Sequence, residues 1–348
     1  ITAAWKHFMH YGDVQVLHRL YPVGEKWLTY VEAHSDSAGI LGRWPDQWFR
    51  QWFLGDWLPP EGIDPVHPDS VSLVVNCFLV QCRERMAEMA KVLDKTTEAV
   101  RHKEEADRLR NTIHRRFFDA KTGCYADGDQ IDLAYPLLTG VVPAQLRGDV
   151  LQQLEDEICK NTPPRLGTGL VGTLILFDCL LEEGRNDLVF RMVNHCFYPG
   201  WGYMLQHGAG TVWEYWNGDG THIHNCFNQV GAWFYKGLAG ILPHVEGPGF
   251  QKIMIRPQPV RELNHITASY DSCNGRIGVR WQWAEEQLHF CVDVPPTAQA
   301  DVYVPCDVDG NVSAANSHLT PDTLIPLGSF HYAVFKNVTG RHEFTSTP

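Results

Sequence analysis

The segment Pro243-His244-Val245-Glu246-Gly247-Pro248-Gly249 separates two stretches whose apolar patterns belong to different kinds of structure. Upstream, Val71, Val74, Val75, Phe78, Leu79, Cys82, Met86, Met89 and Val92 recur at spacings of three and four, which makes one buried face of a helix over 71–93. A second helix is read over 97–118 with Ala99, Ala106, Leu109, Ile113 and Phe117 inward, and a turn-rich exit follows over 119–129. Helices also fit 143–159, where Pro143 suits a first turn, 169–183 closed by Gly184, 188–196 behind a capping Asn186, and 227–239 ending at Gly240. Before Ser70, 5–11 and 14–21 form a short helical pair, and 26–33 is a further helix. Downstream of the divide the period falls to two. Runs over 252–255, 265–270, 276–283, 288–294 and 300–304 read as strands, and Asn274-Gly275 between two of them is a hairpin signal. Ile253/Ile255 and Val279/Trp281/Trp283 alternate, so each strand turns one face inward.

The expected architecture is therefore an all-α domain over 1–243 followed by an all-β antiparallel domain over 244–348. Helical hairpins in series without a short repeat suit an α/α toroid better than a solenoid.

With 348 residues the chain is long enough for about two domains. Lys+Arg 29 against Asp+Glu 41 leaves a net charge of −12, so there is no basic surplus to replace the counterions of a nucleic acid or to hold an anionic membrane. The longest apolar runs fall short of the roughly 18 residues that a spanning helix needs. Ten cysteines without a CxxC pair, three of them (Cys77, Cys82 and Cys179) inside helical apolar patterns, read as reduced thiols and favour a cytoplasmic protein. The triplets Asn311-Val312-Ser313 and Asn337-Val338-Thr339 point the other way, toward secretion. Trp5-Lys6-His7-Phe8 reads as the middle of a helix, and the sequence is expected to be a fragment whose toroid is incomplete at its N-terminal side. Oligomeric state is left open.

Chemistry concentrates in one loop between predicted helices. Tyr198-Pro199-Gly200-Trp201-Gly202-Tyr203-Met204 is followed by Gly208-Ala209-Gly210-Thr211-Val212-Trp213-Glu214-Tyr215-Trp216-Asn217-Gly218. Glu214 stands between Trp213 and Trp216, and apolar walls of that kind raise a carboxyl pKa by desolvation. A surface glutamate between two packing tryptophans is an equal alternative on these residues alone. Trp57, Trp201 and Trp216 are candidate platforms for a sugar's C–H faces, core packing being the alternative for each. Asp56 is suited either to sugar hydroxyls or to capping a local turn, and His222 reads as a bystander. No metal-ligand spacing is present, and the glycines of Gly167-Thr168-Gly169-Leu170-Val171-Gly172 do not follow a strand as a phosphate loop must, so no cofactor is expected.

The order of segments resembles the family 78 glycoside hydrolases, the bacterial and fungal α-L-rhamnosidases. The likeness rests on Tyr11-Gly12-Asp13, Leu54-Gly55-Asp56-Trp57-Leu58, Gly167-Thr168-Gly169-Leu170-Val171-Gly172-Thr173, the Trp213-Glu214-Tyr215-Trp216 loop and Pro248-Gly249-Phe250, in that register. It implies an (α/α)₆ catalytic toroid followed by a C-terminal β-sandwich, and a rhamnose-containing carbohydrate as substrate. It implies that Glu214 is the general base of an inverting hydrolysis, with Asp56, Trp57, Trp201, Trp213, Trp216 and His224 on the sugar side. His224 matches an Asn-His motif of the family, although Ile223 precedes it here. The partner acid of the family lies in an Asp-x-Pro-x-Arg-Asp-Glu-Arg segment that this sequence does not contain, and neither Asp56 nor Glu61 matches it. Without that acid the 348 residues alone are expected to be catalytically silent. Another toroid glycosidase, a polysaccharide lyase and a non-catalytic sugar-binding protein are the alternatives.

Overall fold

A computed structural model describes residues 1–45, 52–61, 68–225, 227–315 and 319–348. The helices are α1 (Thr2–Tyr11), α2 (Val14–Ala33), α3 (Pro68–Val92), α4 (Thr96–Phe117), α5 (Gln130–Leu138), α6 (Arg147–Cys159), α7 (Leu170–Glu182), α8 (Asn186–Val193), α9 (Trp201–Gln206) and α10 (Gln229–Trp233). A two-residue hairpin, β1 (Phe118–Asp119) with β2 (Cys124–Tyr125), fills the turn-rich stretch after α4. The described residues form no helix long and apolar enough to cross a membrane.

The chain divides into two compact units. One unit comprises Ile1–Trp5, Leu17–Leu180 and Leu188–Gln229; the other takes Lys6–Val16, Leu181–Asp187 and Val230–Pro348.

In the first unit α3 and α4 pack along their length, and α5 packs on α3 and α6. Of the apolar stripe read for α3, Val74, Leu79, Cys82, Met86 and Met89 are buried, whereas Phe78 and Val92 are exposed; Leu73, Cys77 and Val80, outside that stripe, are fully enclosed. Burying side chains of this size stabilises by about 1.5–3 kcal/mol each. Two predicted helices, 14–21 and 26–33, are one continuous α2 despite Pro22. At Gly24 a Cβ would lie 2.7 Å from Met86 Sδ, so the glycine leaves room for that side chain of α3. Polar groups also tie these helices. Buried Arg83 pairs with Glu32 and with Glu105 at 2.7 Å, and the enclosed His102 ring meets Glu25 at 2.8 Å. Burial holds the His102 pKa below its ordinary value.

The second unit carries two five-stranded sheets. One has the order β10-β11-β8-β4-β3 and contains β3 (Ile241–Pro243), β4 (Lys252–Ile255), β8 (Gln299–Cys306), β10 (Thr323–Leu327) and β11 (Phe330–Val338). The other has the order β5-β6-β7-β12-β9 and contains β5 (His265–Ser272), β6 (Gly275–Ala284), β7 (Gln287–Val294), β9 (Val312–Ala315) and β12 (Gly340–Ser346). Together they make a sandwich whose inward faces include Ile253, Ile255, Val279, Trp281, Phe290, Val302, Phe335 and Phe344. Contrary to the expectation of purely antiparallel pairing, β4 and β8 run parallel, Lys252 opposite Gln299 and Ile255 opposite Val302. Trp283 departs from the alternation too; it is half-buried, with the Arg261 guanidinium 3.8 Å over its ring. The hairpin at Asn274 forms with Ser272 opposite Gly275, whose φ of +108° suits glycine.

Asn186 does not cap α8 through its side chain. Its Nδ2 donates to Gln258 O at 2.6 Å and its Oδ1 accepts from Trp233 Nε1 at 2.6 Å, so it is a buried clamp. The nine described cysteines are free thiols, and Cys77, Cys82 and Cys179 are buried as expected.

Candidate active site

Four loops of the first unit converge through hydrogen bonds between distant residues. The first carries Asp56. Its two carboxylate oxygens accept the Gly169 and Gly172 backbone N–H groups, each at 2.7 Å, across the N-terminus of α7. Anchoring a helix N-terminus with a carboxylate satisfies donors that the helix leaves unpaired and opposes the positive end of its dipole. The Trp57 carbonyl accepts Leu170 N–H at 2.7 Å, which brings the two backbones together. Gly169 is required at this crossing because a Cβ would overlap the Trp57 carbonyl and lie 2.7 Å from Leu58 C. Burial pushes the Asp56 carboxyl up to about 6, against the pull of the backbone donors. Of the two roles considered for Asp56, the bonds engage it as a cap, at α7 rather than in its own turn.

The second loop, 165–169, is gripped by buried Gln130, whose Nε2 donates to Arg165 O at 2.9 Å and whose Oε1 accepts Gly167 N–H at 2.8 Å. Gln130 was missed in the sequence because its partners lie more than thirty residues away. The third loop is joined by Arg165 to Tyr198 O at 3.1 Å, and the Tyr198 hydroxyl donates to Pro60 O at 2.6 Å. Burial, then the charge of Glu61, raises the pKa of this phenol.

The fourth loop holds Glu214. It is a hairpin without regular strands: Glu214 N–H donates to Thr221 O at 2.9 Å, His224 N–H to Val212 O at 3.1 Å, and Thr211 Oγ1 to His222 O. Glycines at 218 and 220, with φ of +90° and +73°, turn the chain between them. Trp216 anchors the hairpin: only 1% exposed, it donates from Nε1 to Thr168 O at 3.0 Å and stacks on Phe227 at 3.8 Å. No open face remains for a sugar, so its candidate platform role gives way to core packing. Trp213 is also buried, with its ring stacked on His222 at 5.0 Å. His222, read as a bystander, closes the turn by contacting Gly218 O at 2.7 Å. Trp57 and Trp201 are half-buried; Trp201 sets its ring edge against Trp216 at 5.2 Å and donates to Phe227 O at 3.0 Å.

The Glu214 carboxylate is not walled by its flanking tryptophans. Oε2 accepts Thr221 N–H at 3.0 Å and Thr221 Oγ1 at 2.9 Å, and His224 Nδ1 stands 3.6 Å away. The Thr221 donors, backbone first, hold its pKa below the ordinary glutamate value, opposite in direction to the rise expected from apolar walls. Such a carboxylate is ionised at neutral pH, the form in which a carboxylate can accept a proton, although the same donors lower its proton affinity.

A family model described as the bacterial alpha-L-rhamnosidase 6 hairpin glycosidase domain matches residues 1–238, and one for the bacterial alpha-L-rhamnosidase C-terminal domain matches 240–318. The chain belongs to the bacterial α-L-rhamnosidase family. An α-L-rhamnosidase of Streptomyces avermitilis is 29% identical over 99% of this chain and 32% of its own length. One of an Alteromonas species is 27% identical over 91% of this chain and 35% of its own. The S. avermitilis rhamnosidase solved with L-rhamnose superposes with a TM-score of 0.83 at 27% identity, covering 99% of this chain and 32% of that one. The rhamnosidase of Dictyoglumus thermophilum gives 0.84 at 26% identity, covering 99% and 38%. The chain thus spans about a third of the length of the curated rhamnosidases it matches.

Proposed function

We propose that this chain carries the general base and part of the sugar site of an inverting α-L-rhamnosidase, and that its helical unit belongs to an (α/α)₆ toroid. The observation that carries the reading is Glu214, held ionised by Thr221 within the Trp-Glu-x-Trp loop by which the chain resembles that family. An ionised glutamate removes a proton from water as the water attacks the anomeric carbon, while a second carboxyl protonates the departing oxygen from the opposite face. In inverting enzymes the two carboxyls stand roughly 6.5–9.5 Å apart, which leaves room for the water. Asp56 is a poor candidate for that acid because both its oxygens are occupied by backbone N–H groups. By resemblance the acid belongs to an Asp-Glu-Arg segment that residues 1–348 do not contain. Trp57, Trp201 and His224 retain the exposure that sugar contact requires.

The test uses the natural full-length protein and an aryl α-L-rhamnoside. Glu214→Gln is expected to lower kcat by about 10²-fold or more with little change in sugar binding, and NMR of the first-formed sugar is expected to show the inverted anomer. Near-normal turnover in the variant, or retention of configuration, refutes the reading. An unsaturated product absorbing in the ultraviolet establishes a lyase instead.

A further inference from the structure

Thr221 does more than lower the pKa of Glu214: it also fixes one carboxylate oxygen in place. Thr221 contacts this residue from three positions: its N–H and its hydroxyl both reach Oε2, and its carbonyl accepts Glu214 N–H at 2.9 Å. The same hydroxyl lies 2.9 Å from His224 Nδ1. A threonine hydroxyl has one proton to donate, and an ionised carboxylate only accepts, so that proton points to Glu214. His224 must then donate from Nδ1–H, which in the neutral ring leaves Nε2 as an acceptor. Protonation at Nε2 adds a charge but leaves this directed array, His224 to Thr221 to Glu214, unbroken.

The other oxygen, Oε1, receives no hydrogen bond among the described residues, and Gly220, having no side chain, leaves the space that Oε2 occupies: a Cβ there would sit 2.8 Å from it. Among those residues His224 is the titratable side chain facing the carboxylate. Resting on the reading of Glu214 as base, we propose that Thr221 is its positioning residue, clamping Oε2 with two donors so that Oε1 is the oxygen that takes the proton from water. The clamp fixes the direction from which the water is deprotonated, and orientation of this kind is a large part of what an enzyme contributes to a bimolecular step.

Thr221→Val keeps the side-chain shape and the backbone donor but removes the hydroxyl, while Thr221→Ser keeps the hydroxyl. Thr221 is exposed, so both variants are expected to fold. In the full-length protein Thr221→Val is expected to lower kcat on an aryl α-L-rhamnoside by about tenfold with KM within about twofold, and to move the acidic limb of the pH–rate profile upward. Thr221→Ser is expected to stay within about twofold of the natural protein on both measures. A second readout does not require turnover: an infrared pH titration of the carboxylate band that Glu214→Gln abolishes, which should move upward in the valine variant alone. An unmoved titration in Thr221→Val overturns the proposal, as does a pH profile and kcat equal to those of the natural protein. If the natural protein hydrolyses no rhamnoside, the rhamnosidase reading fails separately, and the infrared titration still decides whether Thr221 sets this carboxylate.

Discussion

Two glycine-to-alanine substitutions that look alike on paper are expected to move stability in opposite directions. Gly169 precedes α7, and its backbone crosses that of Trp57 so closely that an added Cβ meets carbonyl atoms rather than a movable side chain. Alanine there must push the two segments apart and break Leu170 N–H to Trp57 O and Gly169 N–H to Asp56, both at 2.7 Å. The first is an ordinary hydrogen bond, worth about 1 kcal/mol, and the second involves a charged acceptor, worth about 1.5–3 kcal/mol. Removing a glycine returns at most about 1 kcal/mol of backbone entropy. The net expectation for Gly169→Ala is destabilisation by about 1.5–3 kcal/mol, or roughly 2–4 °C in Tm for a protein of this size. Gly148, in the first turn of α6, has no heavy atom within 4 Å of its would-be Cβ, so Gly148→Ala is expected to gain up to about 1 kcal/mol. Calorimetric melting of both variants, with amide exchange read at Leu170 and Gly172, makes the comparison. A Gly169→Ala protein that melts within a degree of Gly148→Ala would refute the argument that this backbone crossing requires glycine.

Asn186→Ala strands the buried Trp233 N–H and Gln258 carbonyl, and is expected to cost about 2–5 kcal/mol by urea unfolding; adding Trp233→Phe should recover part of that loss, and strict additivity would count against the clamp. Asp132 is fully buried, bonded by Ser70 Oγ at 2.5 Å, and burial raises its pKa to about 7. A carboxyl with a raised folded-state pKa stabilises below its unfolded value, near 4, and loses that contribution as pH rises through 7. Asp132→Asn should therefore flatten the fall in the urea midpoint between pH 5 and pH 8, and an unchanged fall would exclude Asp132 as its source. Gly220→Ala crowds Glu214 Oε2 at a φ of +73° and is expected to lower kcat at least tenfold with little change in Tm; a loss of Tm without loss of kcat would contradict this.

Long amphipathic segments were legible in the sequence because their burial repeats: α3, α4 and the strands β6 and β7 fall within three residues of their predicted bounds. The helix α5 was not, since its residues from Gln130 to Leu137 are all buried, which removes the polar face that reveals a helix, and Pro136 argues against one. Strands after Cys306 were missed for a related reason. In β11, Tyr332 through Phe335 are buried in succession, so the period of two disappears. Glu214 stood out among its aromatic neighbours, but the direction of its pKa did not, because the deciding group is seven residues away, across a turn. The same holds for Asn186, whose position before a helix suggests a cap while its partners at 233 and 258 are invisible locally.

The groups that bond or face the Glu214 carboxylate, Thr221 and His224, come from the same short hairpin as the glutamate. The chemical character of the carboxylate is therefore inherited as one continuous stretch of sequence, whereas its placement is inherited through distant contacts such as Trp216 to Thr168. Neighbouring loops are free to diverge in evolution, and to change which molecule is cleaved, without retuning the proton acceptor. Recombination that transplants residues 211–224 should carry the lowered pKa with it and leave the aim of the carboxylate to be rebuilt by the host.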